Sequence, residues 1–175
     1  MLGRVADNLY WMSRYLERAE HTSRLIAIKL EATLEQSKED AETSWRPVIA
    51  ALSAEQFTTS ATDAFDITHA LALDRFNPSS LISSLRLARD NARGVREQIS
   101  TEMWQHLNRL YLRLAPANLM SIWGDASSHI FRETVDQLYM LEGVTFSTMR
   151  HGEGWQFIQL GRYIERAQLV CRLLD

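Results

Sequence analysis

A single cysteine, Cys171, leaves the chain without an internal disulfide and fits a reducing compartment. Only three prolines and seven glycines occur in 175 residues, too few for a chain built from turns. No alternating β-branched run bounded by turn residues is present, which argues against strands. No stretch approaches the roughly 18 apolar residues of a membrane span. Arg4, Asp7 and Arg14 interrupt the apolar core that a signal peptide needs. A net charge of -3, with both signs interspersed, gives no global pull toward nucleic acid or anionic lipid. Chemistry-bearing motifs are scarce too. There is no Gly-rich phosphate loop, no Gly-x-Ser-x-Gly elbow and no Cys or His cluster at zinc spacing. These absences predict a soluble cytoplasmic protein with no cofactor, no metal, and no nucleic-acid or membrane partner.

What is present favours helix. Apolar residues make up 46% and charged residues 23%, a globular balance in a chain long enough to bury a core. The expectation is an all-α fold: one antiparallel helical bundle spanning residues 1–175 as a single domain. The first helix is predicted over Leu2 to about Gln36, with seam Leu2, Val5, Leu9, Met12, Leu16, Ala19, Ser23, Ile26 and Leu30. A second follows over Glu42 to Leu52, then a short helix capped by Ser53 with Gln56, then an irregular stretch from Thr58 to Asp63. A helix over Ala64 to Leu73 precedes Asn77-Pro78, which reads as an Asn cap with proline at the first helical position. The helix it opens is predicted to reach Ile99. Ser100 or Thr101 caps the next, which runs to Leu114. A long helix is expected from Leu119 to Met149. The last runs from Trp155 to Leu174, with seam Phe157, Leu160, Ile164, Ala167, Cys171 and Leu174. On that seam Cys171 reads as an inert core thiol.

The chain also repeats itself. Sliding Asn8–Ile26 by 148 positions lays it on Gln156–Leu174, and the charges superpose. Arg14, Tyr15, Glu17, Arg18 and Ala19 match Arg162, Tyr163, Glu165, Arg166 and Ala167. Opposite its seam the first helix carries Tyr10, Trp11, Arg14, Glu17, Arg18, His21, Leu25 and Ile28, too apolar for a solvent face. The last helix repeats this with Ile158, Arg162, Glu165, Arg166, Leu169 and Leu173. Both helices are therefore expected to be covered on two sides. Charges on a covered face need partners, since an isolated buried ion costs several kcal/mol, in order of magnitude. One reading is a structural network in which Arg14-Glu17-Arg18 interlocks with Arg162-Glu165-Arg166 across an antiparallel or pseudo-twofold contact. A second is a polar pocket whose arginines hold a carboxylate or phosphate while Glu17 or Glu165 acts as base. A third is an oligomer or partner interface, for which Tyr, Trp and Arg are enriched. The candidate residues are Tyr10, Trp11, Arg14, Glu17, Arg18, Arg162, Glu165 and Arg166.

Other clusters carry less. No glutamate has a histidine three positions later, as carboxylate-bridged di-metal bundles need. Glu17 and His21, Glu102 and His106, and His129 and Glu133 stand four apart, a spacing that can bind metal on one helix face but, scattered singly, reads as surface ion pairing. The Arg86, Arg89, Arg93, Arg96 ladder is interrupted by Asp90 and followed by Glu97, a solvated or ion-paired face rather than a nucleic-acid stripe.

The opening Ala6–Glu20 resembles the start of the bacterial alpha-E family, a domain of unknown function. Asn77–Leu81, Ala88–Ser100, Glu102-Met103-Trp104 and Glu153–Ala167 resemble the same family in the same order. Members are longer, so the resemblance implies an N-terminal portion of the pattern, with a homodimer able to replace the remainder. It further implies an accessory protein acting with an ATP-grasp peptide-ligase-like or transglutaminase-like partner in peptide synthesis or modification, and no catalytic assignment. The alternative is an enzyme, or a small-anion or peptide binder, using a buried Arg-Glu pocket.

Overall fold

The computed structural model describes residues 2–33, 44–124 and 127–174. Helix α1 spans Gly3–Thr33, α2 Arg46–Ala51, α3 Ala64–Ala72 and α4 Leu81–Gly94. After these come α5 at Thr101–Leu114, α6 at Leu119–Ile122, α7 at Ser127–Thr148 and α8 at Glu153–Leu174. A 3-10 turn occupies Glu55–Phe57. The described residues contain no strand, and the fold is all-α. Among them no helix is long and apolar enough to cross a membrane. Short polar side chains start the helices by accepting a backbone N–H of the first turn. Asp63 caps α3, Ser80 caps α4, Ser100 caps α5 and Asn118 caps α6.

α1 is the axis of the bundle. Its N-terminal half buries Leu9 and Met12 in a cluster with Ala92, Val95, Leu107, Leu141 and Ile158. Its C-terminal half buries Ala19, Ile26 and Leu30 with Leu81, Leu85 and Leu138. Each fully buried Leu, Ile, Val or Met among them stabilises by about 1.5–3 kcal/mol relative to exposure. The order of those partners makes α4 antiparallel to α1. α7 is antiparallel as well, because Glu31 pairs with Arg132 and Arg24 donates to Tyr139. α8 differs: a Cβ on Gly154 would meet Leu9 and one on Gly161 would meet Ser13, while Arg18 pairs with Glu165. Numbers rise together, so α1 and α8 run in the same direction. That pair is parallel inside an otherwise antiparallel bundle.

Several local expectations are corrected. The polar cluster Gln36–Asp40 and the start of the helix at Glu42 lie outside the described residues. Ser53 does not close a capping box: it sits at φ 51, and Ala54 leads the 3-10 turn without a side-chain bond. Asn77 is a buried brace rather than a helix cap. Its Nδ2 donates to Ala70 O while its Oδ1 accepts from Ser79 N, and Ser80 takes the capping role. α4 stops at Gly94 instead of Ile99. The long helix expected from Leu119 is divided, with Gly124 at φ +119 between α6 and α7, a conformation that favours glycine.

The largest correction concerns α8. Of the seam read as core, Phe157 packs against the core and Ile164 is half-buried, but the rest faces outward: Leu160 is 49% exposed and Leu174 82%. Ala167 is exposed, and Cys171 is an exposed thiol rather than a core one. The buried side of α8 is instead Ile158, Gly161 and Glu165.

Candidate functional site

The two echoing helices meet through their charges. Glu165 Oε2 accepts from Arg14 Nε at 2.7 Å, and its Oε1 accepts from Arg18 Nε at 2.6 Å. Glu17 reciprocates: Oε1 accepts from Arg166 Nε at 2.5 Å, and Oε2 lies 3.5 Å from Arg162 Nε. The offset of 148 exchanges these contacts, taking Arg14–Glu165 to Glu17–Arg162 and Arg18–Glu165 to Glu17–Arg166. The relation is a local twofold between parallel helices. Of the two contact geometries the sequence left open, the structure has the pseudo-twofold one. The halves are unequal, because Arg162 also reaches Glu142 on α7 while Arg14 is held by Tyr10 and Gln168.

Small residues permit the contact. Gly161 and Ser13 are themselves equivalent under the offset, and they meet where the helices cross. A Cβ on Gly161 would overlap Ser13 Oγ and the Tyr10 carbonyl oxygen, and would stand 3.1 Å from the Tyr10 carbonyl carbon. Since Tyr10 O and C are backbone, α8 would have to move. Sequence reasoning missed this pair, although two small residues at one register of a repeat were there to be read.

Burial pushes both clamp carboxyls toward protonation, and in each the donors win. Hydrogen bonds from His21 and Arg166 hold Glu17 below the ordinary glutamate range. Arg18 and Arg14 do the same for Glu165. Burial lowers the Arg14 pKa, but Glu165 and Tyr10 outweigh it and leave the guanidinium more firmly charged. The aromatic candidates brace this arrangement. Arg14 Cζ sits 5.7 Å from the Tyr10 ring centre and 5.2 Å from that of Trp11, and Trp11 stacks on Tyr15.

Beside the clamp, α1, α7 and α8 enclose a cavity of about 520 Å³. Glu17 and Arg162 reach it, and Glu20 and Glu142 join them. Tyr139, Phe146, Trp155 and Tyr163 supply aromatic wall. On the other side of α1, Arg18, His21 and Glu165 border a cleft of about 90 Å³. Tyr10, Trp11, Arg14 and Arg166 border neither space, so the eight candidate residues do not share one pocket. Arg14, Arg18 and Arg166 do not border the large cavity, and Arg162, which does, is paired with Glu142 and Glu17, which leaves little for an incoming anion.

Glu17, Glu20 and His21 are buried with potential ligand atoms within 4.8 Å of one another, a grouping the sequence reading did not assemble. Glu17 and His21 were read as an ion pair, and His21 Nε2 lies 2.9 Å from Glu17 Oε1. Arg166 and Arg162 crowd Glu17, and Arg24 is ion-paired with Glu20. Three cations already balance the two carboxylates, which works against a divalent ion. In the other spaced pairs, His106 Nε2 is bound to Gln137 O, and Glu133 pairs with Arg113 while also feeling the charge of His129. Within the arginine ladder Arg86 pairs with Asp90, and Arg89 and Arg96 lie over Trp104.

A bundle whose two Glu–Arg segments clamp one another defines a class of helical domain, with no strand among the described residues. The chain belongs to the Alpha-E family, described as a predicted alpha-helical domain with a conserved ER motif, which matches residues 1–175. Its Glu17-Arg18 and Glu165-Arg166 dipeptides are both in the clamp. The chain is 27% identical over 192 residues to an uncharacterised protein of Mycobacterium bovis and to uncharacterised proteins of two Mycobacterium tuberculosis strains. In each case 98% of the chain is covered, and it spans 22% of the relative's length. No solved structure matches.

Proposed function

We propose that this domain is a non-catalytic interaction module that docks a protein partner on the outward face of α8. The observation that carries the reading is that face: Leu160, Val170 and Leu174 are 49%, 47% and 82% exposed along one side of a helix anchored by its other side. Isolated exposed apolar residues are ordinary, whereas a contiguous apolar face favours association. The clamp fits a mechanical role, since its carboxylates are held ionised by arginines of the opposite helix, joined at Glu17 by His21. The proposed setting is the cytoplasm. The proposed partner is an ATP-grasp ligase-like or transglutaminase-like protein, as the family resemblance implies, in peptide synthesis or modification.

The test is light scattering on the purified chain, alone and mixed with each candidate partner of the same genome. A heteromeric complex is expected, abolished by Leu160→Glu with Val170→Glu while the melting temperature stays within about 2 °C, as for surface changes. A complex that survives the double substitution, or no complex with either partner, overturns the reading. Self-association through the same face is a distinct outcome and also counts against it.

A further inference from the structure

We propose that the cavity between α1, α7 and α8 binds a small organic cation, a primary ammonium or guanidinium carried on an apolar body. Its volume of about 520 Å³ lies within the roughly 300–1,000 Å³ of small-molecule sites. Three glutamates, Glu17, Glu20 and Glu142, border it against one arginine, Arg162. Glu17 and Glu142 are already engaged by arginines. Glu20 is engaged as well, by Arg24, but less completely. It is 5% exposed, and its oxygens carry that ion pair without a well-aligned hydrogen-bond donor. A buried acceptor without donors is costly, and donors brought by a ligand relieve it.

The neighbouring cation shows what chemistry suits this position. Arg24 is ion-paired with Glu20, donates to the Tyr139 hydroxyl, and holds its Cζ 5.6 Å from the Tyr139 ring centre. Its side chain is 43% exposed and rises from the protein surface. A guanidinium is therefore accepted between Glu20 and Tyr139, supplied from outside by a side chain free to turn into solvent. A ligand cation in the cavity approaches the same carboxylate from within, with Phe146 and Trp155 to cover its apolar portion. An anion is offered less, because the one arginine on the cavity is held between Glu142 and Glu17, with its Nε lacking a well-aligned acceptor. The site stands independently of the outward docking face of α8.

Titration calorimetry with agmatine and with an arginine-bearing tripeptide tests the proposal. Saturable binding of either probe is expected. Glu20→Gln should weaken it at least about tenfold, the loss of one charge-assisted hydrogen bond of about 1.4 kcal/mol. Arg24→Ala should tighten binding several-fold by removing the internal competitor. Preference for agmatine identifies free amines as the ligand source, and preference for the tripeptide identifies a peptide side chain. Absence of binding by both probes overturns the proposal, and so does equal affinity in folded Glu20→Gln. Should Glu20→Gln not fold, unchanged or weaker binding by Arg24→Ala overturns it.

Discussion

Glu165 and Glu20 are hidden to the same degree, at 6% and 5% exposure, yet their carboxyls are displaced in opposite directions. Glu165 sits below the usual glutamate range although burial opposes ionisation, because Arg18 and Arg14 donate to both of its oxygens. Glu20 sits above that range because burial prevails over the charges of His21 and Arg24. Depth alone does not determine what a buried carboxylate contributes; the donors that reach it do. One strip of α1 therefore has two characters. On its α8 side the carboxylates receive donors, and on its α7 side Glu20 borders an open cavity with an ion pair but no well-aligned donor.

Breaking the satisfied side should have the larger effect. Glu165→Ala strands Arg14 and Arg18 without their carboxylate, and losing one partner of a buried pair costs about 3–5 kcal/mol. For a chain of this size the melting temperature should fall by on the order of 10 °C. Glu165→Gln, keeping shape and one acceptor, should lose less. Calorimetric melting of both variants checks this, and wild-type melting of Glu165→Ala would show that the clamp adds nothing.

Gly161→Ala probes the same clamp through sterics alone. The new methyl overlaps the Tyr10 carbonyl oxygen, so α8 must shift outward and loosen every Arg–Glu contact at once. Overpacking of this kind costs about 1–3 kcal/mol. Denaturant unfolding should give a lower midpoint, with a smaller additional loss when Glu165→Ala is added to Gly161→Ala than in the wild-type background. Full additivity would mean that the crossing and the charges are energetically separate.

How far these features are legible in the sequence follows the same division. α1 could be traced from its three-and-four spacing because the apolar seam residues from Leu9 to Leu30 found neighbours. The pairing of Glu17 and Glu165 with arginines could be read from the repeat, since covered charges require partners. Which face of α8 turns inward could not. Both faces carry aliphatic residues, and periodicity does not rank two apolar faces of one helix. The choice was made by Gly161, whose missing side chain lets α8 approach α1 on the Glu165 side. Gly124 was passed over because a lone glycine inside a helical pattern usually marks no break. The cavity was beyond reach for another reason: Glu20, Glu142 and Trp155 lie on three helices, and only tertiary packing brings them together.

The smallest effect is the sharpest test of the comparison, because it has the opposite sign. A carboxyl whose folded pKa is raised binds protons more readily in the native state than in the unfolded chain. Its ionised form therefore weakens the fold at neutral pH, and the penalty fades as pH falls from the raised native pKa toward the unfolded value of 4.5. Glu17 and Glu165 behave in reverse. Their folded pKa values are lowered, so their contribution is complete above 4.5 and is lost as pH falls through the folded values. Acidification from neutrality should thus first raise stability slightly through Glu20 and then reduce it through the clamp. Glu20→Gln should remove the rise and leave the acid loss in place. At pH 7 the variant should be more stable than wild type by on the order of 1 kcal/mol, since burial outweighs the His21 and Arg24 charges at the Glu20 carboxylate. Urea unfolding of both proteins between pH 3 and 8, bracketing the ordinary glutamate range, measures the two limbs separately. A Glu20→Gln variant less stable than wild type at pH 7 would place Glu20 with Glu165 among the satisfied carboxylates and end the distinction between the two sides of α1.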